Sequence, residues 1–238
     1  MATAFRHEAL LYAGDDEFVE ATVPFIVDGL ARHEHVMVAV SAAKIELLRS
    51  SLGWDGRWVD FVDMAELGTN PGRIISAWRQ FVFDHRDDPH LRGIGEPVWP
   101  ERTPEELVEC QHHERLLNVA FPPGLPWRLL CPYDVSTLDA AVVDEAKAAH
   151  PYVHEQAGWW DDAPAGRAVD PGRPLDEPLA DLPPPVRELG FDAVSRADAL
   201  TAVAEVAGPG LAPARADDLG RAVGEVFDNS LRHGGGSG

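Results

Sequence analysis

Cysteine is nearly absent from this sequence. Cys110 and Cys131 are the two, too few for a disulfide framework, so both are expected to be reduced and the protein cytoplasmic. Lysine is equally scarce, with Lys44 and Lys147 alone. Acidic residues number 40 against 20 basic ones, a formal net charge of −20. That field repels phosphate backbones, and the scattered arginines form no patch to overcome it, which argues against direct nucleic-acid binding. No run of about 18 apolar residues occurs, so no membrane span is expected. The N-terminus lacks the basic segment and long apolar stretch of a secretory signal. Chemistry-bearing motifs are missing too. There is no G-x-x-x-x-G-K-[ST], and neither lysine follows a glycine loop; Gly93-Ile94-Gly95-Glu96 is too short for G-x-G-x-x-G and runs into proline. With no G-x-S-x-G either, a phosphate cradle and a nucleophile elbow are both excluded.

What is present is a chain with 45% hydrophobic residues, enough for a substantial core. Residues 1–157 alternate strand-like and helix-like segments. EALLYA (8–13), VMVAVS (36–41), WVDFVDM (58–64), LRGIGEPVW (91–99) and WRLLCPYD (127–134) read as strands. Between them lie helical patterns: Phe18, Thr22, Phe25, Ile26, Gly29 and Leu30 on one face, and Ile74, Ile75, Trp78, Phe81 and Val82 on another. Asn70-Pro71 marks one helix start, and Thr103-Pro104-Glu105-Glu106 is a capping box with proline at the first helical position. A last helix, STLDAAVVDEAKAAH, is ended by Pro151. Such alternation predicts mainly parallel strands with crossover helices, a layered α/β domain. Residues 158–185 are rich in proline and acid and read as an extended linker, packed if at all through Trp159 and Trp160. Beyond it, VRELGFDAV is expected as a strand, followed by two helices.

The second of those helices carries GEVFDNSLRHG. Residues four apart differ by about 40° around a helix, so Glu225, Asn229 and His233 share one face. A carboxylate and a carboxamide one turn apart can serve a Mg²⁺-nucleotide, although the same spacing is common on solvated helices. AVGEVFDNSLRHG resembles the N-box of the anti-sigma-factor and histidine-kinase class of ATPases. By that resemblance Glu225 is the general base or water-positioning acid, Asn229 the Mg²⁺ ligand and His233 a phosphate-side contact. The family continues with a strand and two glycine loops that are not in this sequence. Residues 186–238 are therefore expected to be a truncated α+β ATPase fragment, the first third of an ATP site. ATP and Mg²⁺ are expected cofactors of a longer form, and no cofactor is expected in this chain.

Several N-terminal segments resemble the MEDS sensory domain: HEALLY (7–12), FVEATVPFIVDGL, the GIGEPVW turn, HHERLLN (112–118), and LLCPYD (129–134) before His150-Pro151. The resemblance implies a RecA-like three-layer sandwich without its phosphate loop, sensing a small molecule or a partner. It also implies a module of the kind that precedes an anti-sigma-type kinase domain. In open parallel sheets, ligands sit beyond the carboxyl ends of the strands. That places Tyr12, Asp15, Ser41, Glu96, Trp99, Tyr133 and Asp134 around an expected pocket, with His112 and His113 on the capped helix as further candidates. Each has a plainer reading: Glu96 as a structural loop carboxylate, the histidines as solvated or satisfied side chains, Cys131 as a buried apolar group. No metal is expected at His33/His35, which would alternate faces on a strand or lie badly on a helix, or at His150/His154, where no cysteine or third ligand lies near in sequence.

The resulting expectation is a signal-transduction regulator acting on transcription: a sensor joined to a protein kinase module that phosphorylates Ser/Thr or His. A sigma factor or an anti-sigma antagonist is the expected protein partner, with a homodimer open. Two alternatives remain, a non-catalytic interaction module and a small hydrolase using Glu96 with His112 or His113.

Overall fold

A computed structural model of the chain describes residues 5–88, 90–122, 124–155, 184–185, 187–207 and 210–238. They divide into two compact units, Met1–Glu177 and Pro178–Gly238. The expected linker lies outside the described residues except for 184–185, and so do Trp159 and Trp160.

In the first unit the strands are β1 (Arg6–Tyr12), β2 (His35–Val40), β3 (Val59–Asp63), β4 (Leu91–Gly95), β5 (Trp127–Asp134) and β6 (Tyr152–His154). They form one sheet in the order β3-β2-β4-β5-β1-β6, and every neighbouring pair is parallel. The parallel arrangement is thus complete rather than partial. Parallel strands require crossovers, supplied here by α1 (Gly14–Ala31), α2 (Ala42–Leu52), a short α3 (Met64–Leu67), α4 (Ile74–Asp84), α5 (Pro104–Ala120) and α6 (Ala140–Ala149). Helices α1 and α2 cover one face, where Phe18, Phe25, Ile26, Ile45 and Leu48 meet Leu10, Val36, Val38, Val40 and Leu130. Helices α4, α5 and α6 cover the other, where Trp78, Phe81, Cys110, Leu117 and Ala146 meet Ala9, Leu11, Ala39, Leu129 and Cys131. Central strands packed on both sides account for the unbroken apolar run of β2.

Local signals operate as the residues dictate. The Thr103 side chain accepts from the Glu106 backbone and the Glu106 carboxylate accepts from Thr103 N–H, completing the capping box. Asn70 and Pro71 open a single 3₁₀ turn, Pro71–Arg73, which leads into α4. The Gly93 and Gly95 positions in β4 are set by Trp78. A Cβ on Gly95 would lie 2.8 Å from Trp78 Cζ2, and one on Gly93 would lie 2.9 Å from Leu129 Cδ1. One strand was not anticipated and one expectation needs correction. The chain after Pro151 forms β6, which pairs with Glu8–Leu10 of β1; three residues are too few to carry an alternating pattern. The LRGIGEPVW strand ends at Gly95.

The second unit contains α7 (Arg196–Ala207) and α8 (Pro213–His233). The Arg196 guanidinium forks onto both carboxylate oxygens of Asp228, at 2.6 and 3.0 Å, and also reaches Gly224 O. The Phe191 and Phe227 rings lie 4.1 Å apart. The segment expected as a strand is not one. Asp192 Oδ1 accepts from the N–H groups of Val194 and Ser195, which turns the chain into α7 and leaves an isolated bridge between Asp192 and Ser237.

The Trp78 contact gives a direct test. Gly95→Ala should lower stability by about 1–3 kcal/mol through overpacking, read as a fall in the urea midpoint. Gly124→Ala, whose Cβ would meet nothing within 4 Å, should stay within about 0.5 kcal/mol of the parent.

Candidate functional site

At the carboxyl ends of the strands three polar side chains converge. Tyr12 closes β1, Glu96 follows β4, and Lys44 stands on the first turn of α2, behind the Ser41 cap. Tyr12 donates to Glu96 Oε1 at 2.5 Å, and Lys44 Nζ reaches the same oxygen at 2.5 Å and the Tyr12 hydroxyl. The ammonium also lies 5.0 Å from the centroids of the Tyr12 and Phe18 rings, a cation–π arrangement. Glu96 is buried and Lys44 half-buried. Burial pushes the Glu96 carboxyl upward, and its contacts with Lys44 and Tyr12 only partly oppose this. Burial and the neighbouring Glu96 carboxylate hold the Tyr12 phenol far above its ordinary range. Beside the triad lies a cavity of about 280 Å³ lined by Ser41, Lys44, Met64, Ala65, Glu96, Trp99 and Glu101. It offers an apolar wall, one cation and two carboxylates.

Of the expected pocket residues, Tyr12, Glu96, Trp99 and Ser41 meet here. Asp134 sits beside them in a bracing position: its Oδ1 accepts from Gly14 N–H and from both the N–H and hydroxyl of Ser136. Those donors, Ser136 foremost, outweigh its partial burial and hold its carboxyl low. Asp15 is exposed. Tyr133, paired with Leu11 in the register, faces the opposite side of the sheet from Tyr12. His112 is half-buried 3.9 Å from Glu109, and His113 is buried on α5. Among the described residues no hydrogen bond or ion pair joins Glu96 to either histidine, so a hydrolytic pairing finds no geometric support. Lys44 had no sequence assignment. The available signal was its position, because a lysine in the first turn opposes the helix dipole and this turn follows the end of β2.

A second polar cluster lies inside the sheet–helix interface. His7 of β1, Glu114 of α5, Cys131 of β5 and His150 after α6 are all buried, and one ligand atom from each lies within 4.8 Å of the others. Glu114 Oε2 is 3.0 Å from His7 Nε2 and 3.1 Å from His150 Nε2, and Cys131 Sγ is 3.4 Å from His7 Nε2. Burial, then the nearby His150, pushes the His7 imidazole down to about 4. Burial opposes ionisation of Glu114, but contacts with His150 and His7 outweigh it and hold the carboxyl well below its usual range. The expectation that His150 has no cysteine or third ligand near it is therefore overturned: the fold brings both. His154 goes elsewhere, its Nε2 lying 2.8 Å from Glu8. His35 stacks on His85 at 3.9 Å and lies 3.4 Å from Asp88 at the surface. Cys110 donates to Pro97 O, and burial pushes its thiol up to about 12.

In the second unit Glu225, Asn229 and His233 all lie exposed on α8. Val223 and Phe227 are half-buried, whereas Val226 is 61% exposed.

The Lys44–Glu96 pair makes stability pH-dependent in one direction. Lys44→Met leaves Glu96 with a folded-state pKa raised further above its unfolded value, a contribution present at low pH and lost as pH rises. The variant should lose about 3 kcal/mol at neutral pH and distinctly less at about pH 5. Adding Glu96→Gln should restore part of the loss, as read by urea unfolding at both pH values.

The comparisons enter on this geometry. No curated protein matches the chain. A family model described as MEDS, the MEthanogen/methylotroph, DcmR Sensory domain, matches residues 6–151, which run from β1 through α6. Among the described residues, no helix is long and apolar enough to cross a membrane. The match covers more than half of the 238 residues, so the chain belongs to the MEDS family of sensory domains, and a role in signal sensing follows from that membership.

Proposed function

We propose that the first unit senses a small molecule at the carboxyl ends of its strands. Occupancy would be relayed to an anti-sigma-factor-type protein kinase module to which residues 186–238 contribute one wall. The observation that carries the sensing half is the buried Glu96 carboxylate, held by Lys44 and Tyr12 beside a 280 Å³ cavity. A ligand with a hydrogen-bonding head and a short apolar body could compete for Lys44 while resting against Trp99 and Met64. Releasing Glu96 or Tyr12 would alter the start of α2 and the loop after β4, which is a route for a signal. Coupling of about 1–3 kcal/mol is sufficient. In this reading the three-layer unit is a RecA-like sandwich that has exchanged phosphate binding for sensing.

The kinase half is supported by α8, which keeps Glu225, Asn229 and His233 exposed on one helix. Glu225 would position or deprotonate the attacking group, Asn229 would ligate Mg²⁺, and His233 would approach the phosphates. The adenine-gripping and phosphate-covering loops of such a site are not among residues 186–238. The target would be a Ser/Thr on an antagonist protein or a His, with a sigma factor or its antagonist as partner, in the cytoplasm.

Two measurements test these halves separately. A panel of short alcohols, amines and carboxylates, followed by amide and indole NMR shifts, should contain members that perturb Lys44 and Trp99 and raise the melting temperature. Glu96→Gln should abolish that response; silence across the panel rejects the strand-end pocket. Isothermal titration with Mg²⁺-ATP should give binding only in a form extended past Gly238, lost on Asn229→Ala. No heat in the extended form removes the kinase half.

A further inference from the structure

We propose that His7, Glu114, Cys131 and His150 bind one transition-metal dication of borderline softness, Zn²⁺ in type, beneath α5. This site lies on the opposite face of the sheet from Tyr12 and does not depend on the strand-end pocket.

The argument begins with the far nitrogens of the two rings. Asn118 donates its amide N–H groups to the carbonyls of Glu114, Arg115 and Ala149, so its Oδ1, 3.2 Å from His7 Nδ1, is an acceptor. His7 must therefore carry its proton on Nδ1. His150 Nδ1 lies 2.7 Å from the Ala146 carbonyl, again an acceptor, and must also be the protonated nitrogen. With a proton on each Nδ1, the neutral form of either ring aims its Nε2 lone pair at Glu114 Oε2 and its surroundings. A carboxylate, two imidazole nitrogens and a thiol sulfur meet in one buried spot, a donor set that a single cation at their centre would satisfy together. One proton answers a single pair among them. Among the described residues, His150 Nε2 lies 3.1 Å from the carboxylate without a hydrogen bond, and Glu114 Oε1 is buried without one.

The spacing fits a metal. Tetrahedral zinc with ligands at about 2.0–2.1 Å for N and O and about 2.3 Å for S implies separations near 3.3 Å for N···O and 3.5 Å for N···S. The observed values are 3.0, 3.1 and 3.4 Å. Imidazoles whose second nitrogen donates to a side-chain or backbone oxygen are the usual outer-shell arrangement of metal-bound histidine. The donor set, two N, one S and one O, suits Zn²⁺ over Mg²⁺ or Ca²⁺. On binding, the Cys131 thiol gives up its proton to solvent as the S–metal bond forms. Thiolate and carboxylate then neutralise the dication. A narrow gap between α5 and α6, about 10 Å³ and lined by Glu114, Tyr133 and Ala146, reaches the cluster.

The test uses the full chain, stripped with a chelator and titrated with Co²⁺. One equivalent should bind, giving the intense visible bands of tetrahedral cobalt and a near-ultraviolet thiolate-to-cobalt band, both removed by Zn²⁺. Cys131→Ser should abolish the thiolate band, whereas Cys110→Ala should leave it. Asn118→Ala should weaken affinity about 10- to 100-fold by freeing the His7 ring. Zn²⁺ should raise the melting temperature of the parent. Absence of uptake by the parent overturns the proposal, as does a spectrum without a thiolate band or one that survives Cys131→Ser. Because the parent spectrum alone can reject the site, a variant that fails to fold does not rescue it.

Discussion

A strand buried on both faces must find a partner for every polar side chain it hides, and β1 hides three. His7 points to the α5–α6 side, while Glu8 and Tyr12 point to the α1–α2 side. All three are almost wholly hidden. Much of the polar organisation of the first unit answers that demand. Glu8 is forked by Arg128 at 2.7 and 2.9 Å and met by His154 of β6. Against its burial, the contacts with His154 and Arg128 hold its carboxyl down at about 2. Tyr12 is tied to Glu96 and Lys44, and His7 to Glu114 and Asn118. An unpartnered charge in such surroundings costs several kcal/mol, so these contacts fix which helix and which strand neighbours β1.

The two polar centres differ in what they can do with that constraint. At the strand ends the ion pair stands beside a cavity, where a solute can exchange with it. A group there can change partner without opening the core. The His7 cluster is enclosed by α5 and α6, and its histidines, carboxylate and thiol are held by side-chain and backbone contacts from several separate elements. Such a place suits a tightly held ion or a permanent network rather than a transient ligand. The acidic surface works in the same direction for both, since it favours cations near the protein and disfavours anionic solutes.

Much of the architecture was legible in the residues. WRLLCPYD corresponds residue for residue to β5, and the Thr103 box opens α5 where the spacing placed it. Ile74, Trp78 and Phe81 face the core as their period required. Tyr12, Glu96 and Trp99 were legible as strand-end residues because parallel sheets present their carboxyl ends to ligands. Lys44 was not, since its role depends on the fold bringing Tyr12 at the end of β1 and Glu96 after β4 within reach of its side chain at once. The strand expected from residue 186 onward failed because Asp192 captures two backbone N–H groups, a local competition that an apolar pattern does not register. The strand β6 was hidden by its brevity.

Sequence by itself determined the alternation of elements, their caps and their inward faces. Those depend on residues a few positions apart, where periodicity and turn chemistry act directly. Only the tertiary structure decided that residues 7, 114, 131 and 150 share one spot. The reason is topological: the order β3-β2-β4-β5-β1-β6 inserts the first strand between two of the last. Side chains from both ends of the unit and from α5 then meet where no spacing along the chain connects them.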